Sequence, residues 1–318
     1  MSYSTSIPSI DQGAKVFINL KSDYGFKRLF SNPQHLGILL DLLNSIFKGV
    51  KVIKSVSLRP TEIIPKNEES RKSVVDINCV GDNDETFIVE MQLAAQEFYK
   101  DRTILYASEV ISGSVPKGEA GDTYEMKEFY IISFMNFILY PKHPNLYLHD
   151  VTLHHNLLKE PFFDKIWFKY IELPKFVNKG PLDSDLEKWL NLLVNLENMT
   201  EPPAGYEKPI FQEAFGLAEY SKLTKEEQMA YQSSINSLRD YNATLSYAEK
   251  RGLEKGLEKG RRLEREIAEK EIATFQAKAE QNAYADKLES ARKMKKAGLS
   301  LAQISDFTSL PLDIVEKL

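Results

Sequence analysis

Lys72–Gln92 reads KSVVDINCVGDNDETFIVEMQ. Two runs rich in β-branched and apolar residues, 72–80 and 85–92, flank Gly81-Asp82-Asn83-Asp84, a cluster of turn formers. The pattern predicts an antiparallel hairpin that turns at Asn83. Side chains alternate between the two faces of a strand. One face then holds Val75, Ile77, Cys79, Phe87, Val89 and Met91, all apolar, and is the core side. The other holds Asp76, Asn78, Glu90 and Gln92. With the turn at Asn83, Asp76 stands directly opposite Glu90, their Cβ atoms about 4.5–5.5 Å apart. A one-residue slip would turn both carboxylates into the core, so the apolar face sets which way the strands point. Like charges so opposed destabilise a sheet unless a cation lies between them, and a hard divalent ion such as Mg²⁺ suits oxygen ligands. A solvated strand face bearing charges and amides accounts for the same residues, and both readings stand at this level.

Around the hairpin the pattern is mixed α/β. After a loose start of some twenty residues, Ser22 is placed to cap a helix with Phe26, Leu29 and Phe30 on one face. Asn32-Pro33 reads as the start of a second helix, burying Leu36, Leu39, Leu40, Leu43 and Phe47 and ending at Gly49. A strand is expected over 51–58, ahead of the hairpin. Residues 97–115 return to a helical period with Ile104, Tyr106, Val110 and Ile111 on the buried side, and Phe129–Leu139 is a long β-prone run. The order is α, β, β, β, α, β. Strands are expected again at 147–154 and 166–173. Helices follow around Trp189–Leu193 and Phe211–Leu223, and a long charged helix starts near Asn242.

The 318 residues carry a net charge of −5, with 42% hydrophobic and 27% charged residues, the balance of an ordinary globular protein of about two domains. The single cysteine, Cys79, excludes an intrachain disulfide and points to a reducing compartment such as the cytoplasm. It is expected to be an inert core thiol. The first residues, MSYSTSIPSIDQG, have neither the basic start nor the apolar run of a signal peptide. Phe129–Tyr140, the longest apolar stretch, is far shorter than the roughly 20 residues of a membrane span. The acidity is uneven: residues 249–296 hold 14 Lys/Arg against 10 Asp/Glu, so net charge alone decides little about a nucleic-acid partner. No phosphate-binding glycine loop is present, since Gly252, Gly256 and Gly260 lack the following Lys-Ser/Thr, and the five histidines have no zinc spacing.

The αβββαβ layout, with Asp76 on its second strand and Glu90-Met91-Gln92 on its third, resembles the PD-(D/E)xK nuclease superfamily. Within it the chain is similar to the Rpn group of recombination-promoting nucleases and putative transposases. The resemblance is carried by Asp23–Phe30 (DYGFKRLF), Asp76-Ile77, Phe87–Gln92, the Arg102…Tyr106 helix, Glu172–Phe176 (ELPKF) and Trp189, and covers about residues 15–200. It implies a PD-(D/E)xK-type mixed-sheet α/β core, placed over 1–180 with added strands; beyond it the sequence pattern gives a helical extension over 181–241 and a charged helix with a helix-turn-helix-like tail over 242–318. It also implies a metal-dependent DNA endonuclease acting in recombination, transposition or defence, with Mg²⁺ as cofactor. The alternative is a catalytically lapsed DNA-binding or assembly protein; RNA as substrate stays open. By position, Asp76 and Glu90 hold the metal, with the Met91 backbone carbonyl and Asp23 as further candidate ligands. Gln92 stands where lysine is usual in the superfamily; it orients water but takes up no proton at neutral pH, which leaves the general base unassigned. Asp23 also serves simply to offset a helix dipole. Lys27, one turn on, and the Arg102–Tyr106 pair are candidates for DNA contact or support of the site.

Gly252, Gly256 and Gly260 form one stripe of the charged helix, each costing roughly 1 kcal/mol against alanine. Close packing on another helix, including that of a second copy, accounts for them, and so does a duplicated solvated spacer. The tail, with Ser300 capping Leu301–Phe307 and Ser309-Leu310-Pro311 restarting a helix, resembles half of a helix-turn-helix. Its second helix has only Lys317 as a cation, so an oligomer or packing cap is the competing reading.

Overall fold

A computed structural model describes residues 15–63, 73–114, 125–176 and 182–318. Most of the loose N-terminal start lies outside the described residues, as do residue 72 of the hairpin and residue 115 of the following helix. The chain divides into two compact units, 1–239 and 240–318.

The first unit opens with α1 (Asp23–Phe30), whose cap is Ser22 Oγ accepting from the Gly25 N–H at 3.1 Å. A Cβ at Gly25 would lie 2.1 Å from the Asn19 carbonyl oxygen and 2.9 Å from Ser22 Oγ, so only glycine fits there. Gly25→Ala is expected to cost about 1–3 kcal/mol, the usual penalty of overpacking, read as a lower melting temperature.

α2 (Leu36–Ile46) begins later than expected. Asn32 Oδ1 accepts from the Gln34 N–H at 3.0 Å and Asn32 O from the His35 N–H, which makes Asn32-Pro33 a turn instead of a cap. The helix buries Ile38, Leu39, Leu42, Leu43 and Ile46; Leu36 and Leu40 are only half-buried, whereas Phe47 is buried as expected. Next come β1 (Val56–Arg59), the short pair β2 (Glu62–Ile63) and β3 (Ser73–Val74), β4 (Ile77–Gly81) and β5 (Thr86–Gln92). β1 is shorter than the expected 51–58 because the Asn44 side chain takes both the N–H and the carbonyl of Ile53. There follow α3 (Tyr99–Ser114), β6 (Phe129–Met135), β7 (Leu148–His155), β8 (Glu160–Glu172), α4 (Asp185–Asn195) and α5 (Pro209–Ala218).

Six strands form one mixed sheet in the order β1-β4-β5-β6-β8-β7. β5–β6 and β6–β8 are parallel; the other neighbours are antiparallel. The expected αβββαβ core is therefore present as α1/α2, β1, β4, β5, α3 and β6. On one face Phe26, Phe30, Leu39, Trp189 and Phe211 pack with Ile77, Cys79, Phe87, Val89, Ile132 and Phe134 in a single core. On the other, Tyr99 and Ala107 of α3 cover Val75, Ile88, Ile131 and Phe168.

Val75 was expected beside Ile77 and Cys79, and it packs on the opposite face. The β4–β5 ladder begins only at Ile77, and the bend at Asp76 breaks the alternation. Ile104 was expected to be buried and is exposed, because α3 turns Tyr99, Thr103 and Ala107 to the sheet; Tyr106, Val110 and Ile111 are partly buried as expected. The run 129–139 stops as a strand at Met135, and Leu139 and Tyr140 give their N–H groups to Glu172.

The last long helix, α6 (Lys225–Lys296), starts well before Asn242. Thr224 and Glu227 form a reciprocal cap, Oγ1 accepting from the Glu227 N–H and Oε2 from the Thr224 N–H. α6 runs unbroken through 286–296. In the second unit the end of α6, α7 (Leu301–Thr308) and α8 (Leu312–Lys317) close on Ala291, Ile304, Leu310 and Val315. Ser300 caps α7 as expected. No described helix is long and apolar enough to cross a membrane.

Candidate active site

The hairpin register is Ile77↔Val89, Asn78↔Ile88 and Cys79↔Phe87, so Asp76, one residue past the last pair, lies across from Glu90. The two carboxylates are tied to each other's backbone. The Asp76 N–H donates to Glu90 Oε1 at 3.2 Å, and the Met91 N–H donates to Asp76 Oδ2 at 2.7 Å. A strand residue directs its N–H and C=O to the same edge. The Met91 carbonyl therefore opens toward Asp76, where β4 supplies no ladder partner. Gln92 Nε2 donates to Glu90 Oε2 at 2.8 Å.

Because α3 covers this face, Glu90 is only 5% exposed. Burial first, and the facing charge of Asp76 second, push the Glu90 carboxyl up to about 8. Burial likewise raises Asp76, against the Met91 N–H and the charges of Lys27 and Arg102, which favour the carboxylate; Asp23 adds to the rise. A buried and a half-buried carboxylate that resist joint ionisation, beside an open carbonyl, make an all-oxygen donor set that suits a hard divalent cation.

The remaining candidates lie around this pair. Asp23 is a first-turn residue of α1 that binds Lys27 Nζ at 2.6 Å. Its charge reaches Asp76, yet no group of three or more His, Cys, Asp or Glu clusters for a metal among the described residues. Asp23 is thus near the pair and not gathered into it. Arg102 on α3 donates through Nε to the Tyr106 hydroxyl at 2.6 Å and through a terminal nitrogen to Gln96 Oε1 at 2.8 Å. Its charge acts on both Asp76 and Glu90. Two helices from opposite faces of the sheet therefore bring cations to one carboxylate pair.

Sequence reasoning missed Gln96, Tyr99 and Ser133. Ser133 is the register partner of Glu90 on β6 and is fully buried, and its hydroxyl and that of Tyr99 are both buried with no hydrogen-bond partner among the described residues. The signal was present, since Ser133 is the lone polar residue in Phe129–Met135. Cys79 is buried and its thiol is pushed up to about 12, chiefly by burial, which makes it a poor nucleophile.

The ELPKF stretch has a structural part. Glu172, wholly buried, accepts from the Leu139 and Tyr140 N–H groups at 2.5 and 2.7 Å, from His149 Nε2 at 3.2 Å, and pairs with Lys175. Burial alone would raise its carboxyl; these four partners outweigh it and hold it below the usual range.

A mixed sheet in αβββαβ order, with Asp76 at the bend just ahead of β4 and Glu90 on β5, is consistent with the PD-(D/E)XK fold, with Gln92 standing where lysine is usual. The family model for PD-(D/E)XK nuclease family transposases matches residues 20–248, and the chain belongs to that family. No curated protein and no solved structure matches the chain. Nucleases of this class generally use divalent metals and act on nucleic acid.

Proposed function

We propose that the protein is a Mg²⁺-dependent DNA endonuclease of the cytoplasm, serving DNA recombination, transposition or defence. The observation that carries this reading is the pair of buried Glu90 and half-buried Asp76 beside the open Met91 carbonyl. Asp76, Glu90 and that carbonyl hold the ion, with Asp23 close enough to adjust the charge of the site. The ion, when bound, supplies a Lewis acid and a water of lowered pKa. Gln92, fixed on Glu90 by one amide N–H, keeps its carbonyl oxygen to orient that water. Lys27 and Arg102, the latter braced by Tyr106, supply the positive charge that a phosphate backbone needs next to two carboxylates. The protein's other partner in this reading is a second copy of the chain, met through the C-terminal helical region.

Closed circular plasmid has no ends, so its nicking reports endonuclease activity alone. Supercoiled plasmid is expected to be nicked with Mg²⁺, not with EDTA, and not by Asp76→Ala. Cleavage by Asp76→Ala at the parent rate removes the site assignment. Metal-indifferent DNA binding without cleavage identifies instead a lapsed nuclease that kept its binding surface.

A further inference from the structure

From Tyr241 to Lys287 every residue of α6 is exposed. At 3.6 residues per turn, Leu245, Leu253, Leu257, Leu263, Ile267 and Phe275 fall on one side of this stretch, together with the glycine stripe. The opposite side is charged, with Arg251, Glu254, Glu258, Arg262, Arg265 and Glu269. The six apolar side chains are 36–75% exposed, an amphipathic face that nothing in the second unit covers.

Their spacing is not a heptad, but it is symmetric about Gly260. Leu257 and Leu263 lie three residues to either side, Leu253 and Ile267 seven, and Leu245 and Phe275 fifteen. Two antiparallel copies related by a two-fold axis at Gly260 therefore set Leu257 against Leu263, Leu253 against Ile267 and Leu245 against Phe275. The helices meet at a residue without a Cβ, where backbones approach most closely.

Charge separates the two directions. Glu249, Glu264, Glu271 and Lys278 share the centre of this face. Parallel pairing in register would set each against its own copy, four like-charge contacts. Antiparallel pairing about Gly260 sets Glu264 opposite Gly256 and Lys278 opposite Asn242. It leaves Glu249 facing Glu271 twice by symmetry, two like-charge contacts against four, with Lys250 adjacent to each.

We propose that two copies of the chain associate antiparallel through the Leu245–Phe275 face of α6, with the two-fold axis at Gly260. This rests on the self-association read above and is independent of the nuclease assignment. The test uses the full chain, sedimentation and disulfide trapping, none of which depends on cleavage. Leu253→Cys and Ile267→Cys, one of them tagged, are mixed and oxidised. The expected product is the mixed disulfide, and buried Cys79 stays out of the reaction. Disulfides confined to like variants overturn the antiparallel direction and leave self-association standing. A monomer at every concentration reached overturns both. Leu257→Glu with Leu263→Glu is expected to weaken the dimer about 30-fold or more, the scale of a hot-spot truncation. A dimer unmoved by that double change lies elsewhere, which also overturns the proposal.

Discussion

Glu90→Gln is expected to lose about 10³-fold in plasmid nicking, the scale of losing one electrostatic contributor to a transition state, while making the metal-free protein more stable. Both effects come from the same charge. Glutamine keeps the shape and one oxygen acceptor of Glu90, so the Asp76 N–H keeps its partner. What disappears is the oxygen that accepts from the Gln92 amide and, with it, a negative charge in a buried position, one that the proposed site uses to hold a cation and that is unfavourable without one. The pH dependence follows from the sign of the shift. Glu90 is raised from an ordinary value near 4.5 to about 8 in the folded state. Its favourable contribution is thus complete below pH 4.5 and is lost as pH rises through about 8. Melting temperature in EDTA is expected to fall across that window in the parent and to level off above it. Glu90→Gln removes much of the slope, so the two proteins differ most at pH 8–9. Equal nicking rates, or parallel melting profiles, would refute the account of Glu90.

Glu172→Ala is expected to cost about 3–5 kcal/mol, as when one partner of a buried ion pair is removed. That corresponds to roughly 10 °C for a domain of this size. Lys175, its side chain only 3% exposed, would be left as a buried charge. The N–H groups of Leu139 and Tyr140 and the Nε2 of His149 lose their acceptor at the same time. Glu172→Gln keeps an acceptor for the backbone and is expected to cost less. Thermal unfolding of the pair checks this. A loss under about 1 kcal/mol for the alanine variant would show that water or a rearranged loop replaces the carboxylate.

How much of this was legible depended on the range of the interaction. The hairpin register follows from a local turn cluster and a two-residue period, and both place Asp76 across from Glu90. The Ser22 and Ser300 caps are equally local. Alternation along one hairpin carries no information about what lies over its polar face. The burial of Glu90 comes from α3, which crosses from β5 to β6 and lays Tyr99 and Ala107 on the sheet. The same helix exposes Ile104, which its composition alone would bury. Val75 was misplaced because a single bend, at the residue that bears the carboxylate, resets the alternation. Glu172 could be noticed as part of a motif, but its work on Leu139 and Tyr140 spans 33 and 32 residues, beyond any periodicity.

The turn at the far end of the hairpin acquires an unexpected weight. Gly81 N–H donates to the Glu85 carbonyl at 2.9 Å, Asn83 N–H to Glu85 Oε2 at 2.8 Å, and Asp84 takes a positive φ of 62°. A Cβ on Gly81 would lie 2.6 Å from the Glu85 carboxyl carbon. Surface loops usually absorb insertions freely, yet this one counts residues for the Asp76–Glu90 pair about 17 Å away along the strand. One residue gained or lost there would leave two sound strands and walk Asp76 past Glu90. The separation of the carboxylates is thus written in a loop that never touches them.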